Sequence, residues 1–240
     1  MKGIILAFCL VCSGFAGRAQ KFLINDKNAE MRTVPAFTAI DANSAIDIYI
    51  SQGYENGLAV SSIDKKVTDR IRTEVKDGVL KIWFVSQGWT DWRSDRKMKA
   101  YVSVKNLSMI KASGACDVSI MGVLKSDQLN IELGGASDMS GELECKELTM
   151  NLNGASDTRL KGKVGKLSAK VSGASSVKGW DLSADYCEID ANGASSINVV
   201  VHKEISAKAG GASDIKIRGE GLIRDMKSSG ASSISRKEGK

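Results

Sequence analysis

The chain has 240 residues, with 34 Lys and Arg against 28 Asp and Glu, and a formal net charge of +6. The basic residues alternate with acidic ones throughout, whereas a nucleic-acid-binding protein clusters its cations, so the composition argues against a nucleic-acid partner. A single proline among 24 glycines is typical of a chain in which β-strands run between tight glycine turns.

The first residues have the pattern of a secretory signal peptide. Lys2 precedes an apolar run at 4–11, and small residues follow as far as Ala19. The run is too short to cross a bilayer as a helix, and it ends in the small-x-small spacing that a signal peptidase reads. We therefore predict a signal peptide at 1–19, with cleavage after Ala19 and Ala16 as the alternative site. The mature protein is expected in the periplasm, on the outer-membrane surface or in the medium, without a transmembrane segment.

The mature chain is predicted to contain one domain. Residues 20–36 form an N-terminal extension, and residues 37–240 form a single elongated β-solenoid domain. Within this domain the pattern is irregular over 37–105 and regularly repeated over 106–240.

The irregular part still has the patterns of β-strands. Asp77-Gly78 is a strong signal for a tight hairpin turn. The stretch 64–75 is also compatible with a short helix. Alternating or continuous apolar residues predict strands at 46–50, 58–60, 79–84 and 101–104.

From Gly114 onward one tetrapeptide, Gly-Ala-Ser followed by Asp or Ser, returns at nearly constant spacing, with Cys116 in place of serine in the first copy. Successive glycines lie 18 to 21 residues apart, a period typical of solenoids and well below that of a propeller blade. The glycines that open the copies are Gly114, Gly135, Gly154, Gly173, Gly193, Gly211 and Gly230.

Each repeat predicts a strand on either side of its glycine. The second, fourth and sixth residues before the glycine are mostly apolar, as in Leu129, Ile131 and Leu133, and this period of two predicts a strand with one buried face. A second strand starts at the fourth residue after the glycine. We therefore predict an all-β fold, a right-handed parallel β-helix or solenoid with coils of about 19–20 residues. Glycine would supply a φ that other residues avoid, and the alanine after it would fill a crowded inner position.

Neither the cysteines nor the histidine carries a recognisable motif. Cys116, Cys145 and Cys187 remain after export, and their odd number and unrelated spacings do not form a disulfide framework. We expect buried thiols, or at most one bridge. His202, the only histidine, has no nucleophile or metal-ligand motif around it and is interpreted as a bystander.

Several motifs together resemble the head GIN domain family of auto-transporter adhesins. These are the repeated Gly-Ala-Ser-Asp/Ser turns, the entry Val-Pro-Ala-Phe at 34–37, the Ile-Tyr-Ile-Ser-Gln-Gly strand at 48–53 and the element at 75–82. The resemblance covers nearly the whole mature chain. It implies an exported bacterial β-helical domain of unknown function, with adhesion as an analogy, and it brings no catalytic residues.

The residue that closes each turn is the first candidate site. Asp117, Asp138 and Asp157 recur once per coil, so they are expected in a row about 4.8 Å apart along one edge. Adjacent carboxylates repel each other, and a Ca²⁺ ion would use their oxygens as ligands. The preferred alternative is that each Asp or Ser accepts hydrogen bonds from turn amides, in which case no cofactor is needed.

The second candidate site is a predicted loop around residues 87–96. Trp89 and Trp92 offer flat faces for a sugar ring or a protein contact, and Asp91 and Arg93 offer hydrogen bonds. The alternative, which we prefer, is a loop folded back so that both indoles cover the side of the solenoid.

Two functions of different class fit these features. The first, which we prefer, is a non-catalytic, adhesin-like binding or structural module of the cell envelope or medium, with a cell-surface glycan or an envelope protein as its partner. The second is a carbohydrate-active enzyme, a lyase or hydrolase on a β-helix scaffold, which would need acids and an Arg or Lys base on one sheet face. No catalytic residue can be chosen from spacing, so the chain is predicted not to be an enzyme.

Overall fold

The computed structural model describes residues 26–87 and 97–237. Nearly all of these residues belong to strands or to the turns between them. The strands and the short helix are β1 (Glu30–Arg32), β2 (Ala39–Ala42), β3 (Asp47–Gln52), β4 (Gly57–Ser61), α1 (Lys65–Thr68), β5 (Ile71–Lys76), β6 (Val79–Phe84), β7 (Lys99–Val104), β8 (Met109–Ala112), β9 (Asp117–Leu133), β10 (Asp138–Leu152), β11 (Asp157–Val171), β12 (Ser176–Ala191), β13 (Ser196–Ala209), β14 (Asp214–Arg218), β15 (Leu222–Ser228) and β16 (Ser233–Arg236).

Strands β9 to β13 are the regular coils of a parallel β-solenoid. Each strand pairs in parallel with the strand of the next coil, so equivalent residues stack. One such column contains Leu129, Leu148, Leu167 and Cys187, none of which is more than 6% exposed. The structure therefore confirms the predicted β-solenoid and the strand with one buried face. Each coil buries its apolar residues with those of its neighbours and depends on them for stability.

The repeated glycine marks the turn of each coil. Gly154 has a φ of 78°, in the left-handed region that favours glycine. The amide of Ala155 donates to the Gly135 carbonyl oxygen over 2.7 Å, so the turn backbones of successive coils lie directly on each other. A Cβ atom on Gly154 would lie 2.3 Å from that oxygen. Glycine is therefore required both for its φ and for the close approach of two backbones.

The prediction that alanine fills the inner position of the turn is wrong. Ala155 is exposed, and the inner position belongs to the next residue, Ser156, which is 0% exposed. The Ser156 hydroxyl donates to the carbonyl oxygen three residues earlier over 3.0 Å, so a polar side chain is satisfied inside the column. Cys116 occupies the same place in the first repeat, and its thiol donates to the Ser113 carbonyl over 3.3 Å. The buried serines are Ser137, Ser156, Ser175, Ser195 and Ser213.

In the first coils, outward residues on the sheet that precedes the turns alternate in charge from coil to coil. Lys111 lies between Asp41 and Glu132 in the register, and its Nζ is 3.6 Å from a Glu132 carboxylate oxygen. On its other side Asp41 pairs with Lys81, and Lys81 in turn pairs with Glu74 on the neighbouring strand β5. Each exposed pair contributes little to stability, but unlike neighbours avoid the repulsion that a row of like charges creates. The interspersed charges of the sequence thus form a ladder across coils on this face.

The first third of the domain combines parallel and antiparallel pairs. Strands β5 and β6 form a hairpin at Asp77-Gly78, which confirms the predicted turn. Helix α1 lies within the stretch for which a short helix was the alternative, and the Asp64 carboxylate caps its N-terminus. Strands β1 and β4 are antiparallel additions that close this end of the column. Leu58 and Ile71 are accordingly 0% exposed.

The opposite end of the column is more open. Strands β15 and β16 form the last coil of the described residues, and the inward-facing Ile223 and Met226 are 40% and 38% exposed. Arg236 stands above Ile217 in the register, and its guanidinium donates to the Gly221 carbonyl. A charged side chain therefore crosses part of this end.

Candidate functional site

A row of carboxylates runs along one outward face at the first residues of β3, β9, β10 and β11. Asp117 pairs with Asp138, and the register of β10 with β11 makes Asp157 the next member. The register of β3 with β9 adds Asp47 in front of Asp117. The structure thus brings the three sequence-predicted aspartates together and adds a fourth.

Asp47 was missed because its turn is a degenerate copy of the repeat. The residues before it are Ser44, Ala45 and Ile46, in the places of Gly, Ala and Ser. Ser44 has a φ of 76°, and its backbone lies against Gly114 as the glycines of later coils lie against each other. The sequence does not show that this turn stacks directly on the turn at Gly114, so the spacing of the repeats could not identify it.

The carboxylates of the row interact with one another electrostatically. Burial raises the pKa of Asp47, and the neighbouring Asp117 raises it further, while Lys99 lowers it. Burial and then Asp138 raise the pKa of Asp117. At the other end, the Asp157 carboxylate accepts from the Lys178 ammonium over 2.9 Å. Asp47 therefore has a neighbouring cation in Lys99, whereas no cation among the described residues lowers the pKa of Asp117.

One hydrogen bond of the row joins two coils. The Asp157 amide donates to a carboxylate oxygen of Asp138 over 3.1 Å, so this aspartate accepts from the turn of the following coil. Within the described ranges, no group of three or more potential metal-ligating side chains is close enough to hold an ion. Calcium at Asp117, Asp138 and Asp157 stays a prediction.

The carboxylates form one side of a polar trough with a cavity volume of about 350 Å³. Its floor contains Ser119 and Ser140, the outward residues two positions after two of the aspartates. Arg159 and Lys178 line the far end. Lys178 is paired with Asp157, whereas Arg159 makes no ion pair with any residue that the structure describes. The polar trough is lined by Asp117, Val118, Ser119, Asp138, Met139, Ser140, Asp157, Thr158, Arg159 and Lys178.

Two stacked tyrosines stand beside the near end of the polar trough. The rings of Tyr49 and Tyr101 are 5.2 Å apart and inclined by 20°. The Tyr101 hydroxyl donates to an Asp26 carboxylate oxygen over 2.9 Å, and burial and this bond raise the pKa of Tyr101. Tyr49 pairs with Ser119 on its other side, so its second ring face is turned toward the trough floor. Sequence reasoning missed both tyrosines, because only the register shows that they are neighbours.

The remaining candidates lie elsewhere. Trp89, Asp91, Trp92 and Arg93 fall outside the described residues, and their role stays a prediction. His202 is exposed on β13, away from the polar trough.

The three cysteines in the part of the chain that the structure describes are all free. Cys116 and Cys187 are buried and Cys145 is partly buried, which agrees with the expectation of unbridged thiols. Burial raises the pKa of Cys145 to about 11 and that of Cys187 to about 12. Thiols with such pKa values remain protonated and unreactive at neutral pH.

A second polar cavity, of about 730 Å³, lies where the coils bend after the trough face. Its lining cations are already paired: Lys146 lies 2.8 Å from Asp127, and Lys125 lies 2.8 Å from Glu144. A charged ligand would have to displace these pairs, so the polar trough is the better candidate.

In the part of the chain that the structure describes, no helix has the length and apolarity needed to cross a membrane.

Comparisons with known proteins give a consistent result. A family model described as "Putative auto-transporter adhesin, head GIN domain" matches residues 36–221. No curated protein is significantly similar in sequence. A solved structure described as a "putative adhesin" from Bacteroides fragilis is 25% identical, with a TM-score of 0.79 over 88% of this chain and 98% of that one.

Two further solved structures share the fold at lower identity. A "Putative lipid binding protein" from Parabacteroides distasonis is 20% identical, with a TM-score of 0.66 over 88% of this chain and 98% of that one. A "putative adhesin" from Parabacteroides merdae is 17% identical, with a TM-score of 0.60 over 88% and 95% of the two chains.

Proposed function

The chain belongs to the head GIN domain family of "Putative auto-transporter adhesin" proteins, and from this membership we propose that it is a non-catalytic, adhesin-like binding module. The module is exported through the signal peptide at 1–19 and acts at the cell envelope or outside the cell. Its partner is a cell-surface glycan or an envelope protein. The observation that carries the proposal is the family match over 36–221, which spans most of the solenoid.

The way the solenoid is filled supports binding on its outer surface. Inward positions such as Leu148, Met150 and Leu152 are at most 2% exposed, which leaves no room for a ligand inside the column. Ladder pairing on both sides of every regular coil holds the outward side chains at fixed spacing. A rigid, repetitive exterior suits contact with an extended polymer or with another protein surface.

The experiment uses the mature chain, residues 20–240, labelled with a fluorophore. It is applied to intact bacterial and animal cells, to a glycan array and to separated envelope proteins, with heat-unfolded chain as the control. We expect saturable binding that one class of soluble competitor removes. Absence of saturable binding to every surface would refute the proposal.

Trp89 and Trp92, in the loop predicted around residues 87–96, are a candidate contact surface, and packing of both indoles against the solenoid is the alternative. If the indoles form the contact, replacing both by alanine should abolish binding and leave the melting temperature unchanged. The matched control is Trp180→Ala. Trp180 packs under the Arg218 guanidinium, which is 4.2 Å from the ring centroid, so its loss should lower stability. A double variant that melts earlier yet still binds would assign the two indoles to packing.

A carbohydrate-active enzyme is the second candidate, and one observation favours it. Asp117, Asp138 and Asp157 share a sheet face with Arg159 and Lys178, the residue types that a lyase or hydrolase on this scaffold would need. Incubation of the mature chain with a panel of polysaccharides, followed by detection of new reducing ends and of unsaturated products, tests it. Turnover would replace the binding proposal by the enzymatic one.

A further inference from the structure

We infer that the polar trough binds an uncharged saccharide, with a sugar ring lying against Tyr49 and hydroxyl groups donating to Asp117 and Asp138. The inference rests on the proposed function, because it names the ligand class of a binding module.

Tyr49 and Tyr101 form an aromatic stack beside the near end of the polar trough. One face of the Tyr49 ring is covered by Tyr101 at 5.2 Å, and the other face is turned toward the small residue Ser119. An aromatic face carries partial negative charge, and the C–H bonds on one side of a pyranose ring carry partial positive charge, so the two surfaces attract. The Tyr101 ring and its bond to Asp26 hold Tyr49 in place before a ligand arrives.

The short side chains on the floor of the polar trough leave space for a ligand. Ser119 and Ser140 are the only residues between Tyr49 and Arg159 in their row of the described face, and both have short side chains. Three ladder steps separate the tyrosine from the arginine, which is about 14 Å. Beside the floor, Met121 is 58% exposed and adds an apolar contact for a ring face. The length and the low floor suit a short oligosaccharide lying along the trough.

The side groups select hydroxyl groups. Carboxylates such as Asp117 and Asp138 only accept hydrogen bonds, and the Arg159 guanidinium only donates them, whereas a sugar hydroxyl does both. Hydroxyls along one saccharide can therefore donate to the carboxylates and accept from the guanidinium at the far end. Burial and the charge of Asp138 raise the pKa of Asp117. Hydrogen bonds donated by sugar hydroxyls would therefore stabilise the charged form of this carboxylate.

Charges of both signs line the polar trough, three carboxylates together with Arg159 and Lys178, and this mixture disfavours a ligand that carries a single charge. An anion would meet three carboxylates, and a cation would meet the unpaired Arg159. A single metal ion has no group of three ligands within the described ranges. A neutral polyol avoids all of these costs.

The test begins with a glycan array that contains neutral and charged saccharides, probed with the mature chain. Neutral saccharides that bind are then titrated by calorimetry at about 0.05 M and about 0.5 M NaCl. We expect affinities that agree within about twofold, because screening by salt does not weaken contacts to an uncharged ligand.

Variants locate the site. Tyr49→Ala should weaken binding by about tenfold, and Tyr49→Phe, which keeps the ring face, should stay within about twofold of the parent. Ser140→Arg should abolish binding by filling the floor, and because Ser140 is exposed this variant should fold normally. The matched control is Tyr186→Ala, a tyrosine on β12 outside the trough that is 45% exposed, and its affinity should not change. Circular dichroism melting of each variant verifies folding.

Each other result overturns the inference in a recognisable way. Affinity that falls steeply with salt would mean a charged ligand. Saccharide binding that survives both Tyr49→Ala and Ser140→Arg would leave the proposed function standing and remove the trough from it. Binding to an envelope protein without any saccharide would do the same. No binding to any surface would refute the inference and the proposed function together.

Discussion

Replacing Gly154 by alanine should destabilise the solenoid far more than the same change at Gly122. Both glycines have a left-handed backbone, with φ values of 78° and 87°. An L-residue in that region costs roughly 1–2 kcal/mol. The difference lies in the surroundings, because a Cβ at Gly154 would be 2.3 Å from the Gly135 carbonyl oxygen, and a Cβ at Gly122 would meet nothing within 4 Å.

The clash at Gly154 involves backbone, so only a separation of the coils relieves it. Separation weakens the turn hydrogen bonds on both sides, from Ala155 to Gly135 at 2.7 Å and from Ala174 to Gly154 at 2.8 Å. Each such bond contributes about 0.5–1.5 kcal/mol. Added to the backbone cost, the expected loss is about 2–5 kcal/mol for Gly154→Ala, against about 1–2 kcal/mol for Gly122→Ala.

Urea unfolding followed by far-ultraviolet circular dichroism measures both losses, provided that the slope of stability against urea is the same in the two variants and the parent. Equal losses at the two positions would refute direct stacking of the turn backbones. A clearly larger loss at Gly154 than at Gly122 would support it.

Three further predictions concern single side chains. Ser156→Ala removes the buried hydroxyl that donates to the Asn153 carbonyl and should lower the unfolding free energy by about 1–3 kcal/mol in urea, while Ser156→Cys, which copies Cys116, should recover part of the loss. Cys187, whose pKa burial raises to about 12, should resist iodoacetamide until urea unfolds the chain, and mass spectrometry of the native protein would reveal any earlier labelling. Burial and Asp138 raise the pKa of Asp117 in the folded state. At a pH above this raised pKa the carboxylate is charged, and its charge lowers the free energy of unfolding. Asp117→Asn should therefore raise the melting temperature at neutral pH, and the gain should shrink as the pH falls through the folded pKa; a gain independent of pH would contradict this reasoning.

The regular coils could be predicted because each local signal recurs seven times and the signals agree. The left-handed glycine and the period of two leave only a stack of parallel coils with one buried face. The inner serine could not be predicted in the same way. Hydropathy favours an inner Ala155 over an inner Ser156, and the backbone carbonyl that satisfies the hydroxyl is invisible in a sequence.

The candidate site could be predicted only where the period is constant. Asp117, Asp138 and Asp157 follow from counting coils, because about 19–21 residues separate them. Tyr49 reaches the same face from a coil 70 positions before Ser119, across segments of irregular length, and its place depends on the register of β3 with β9. No local pattern encodes a pairing over that separation.

In the first coils the two outward faces differ in how charges are arranged, and this contrast bears on function. On one face Lys111 stands between Asp41 and Glu132, so neighbours attract. On the other, Asp117 stands between Asp47 and Asp138, and burial and then the charge of Asp138 raise its pKa. The chain can alternate charges across coils, so a like-charged row that lowers stability indicates selection for something other than stability. If that is ligand contact, Asp117→Asn should stabilise the fold and weaken saccharide binding in the same protein. A variant that is more stable and binds equally well would separate the acidic row from function.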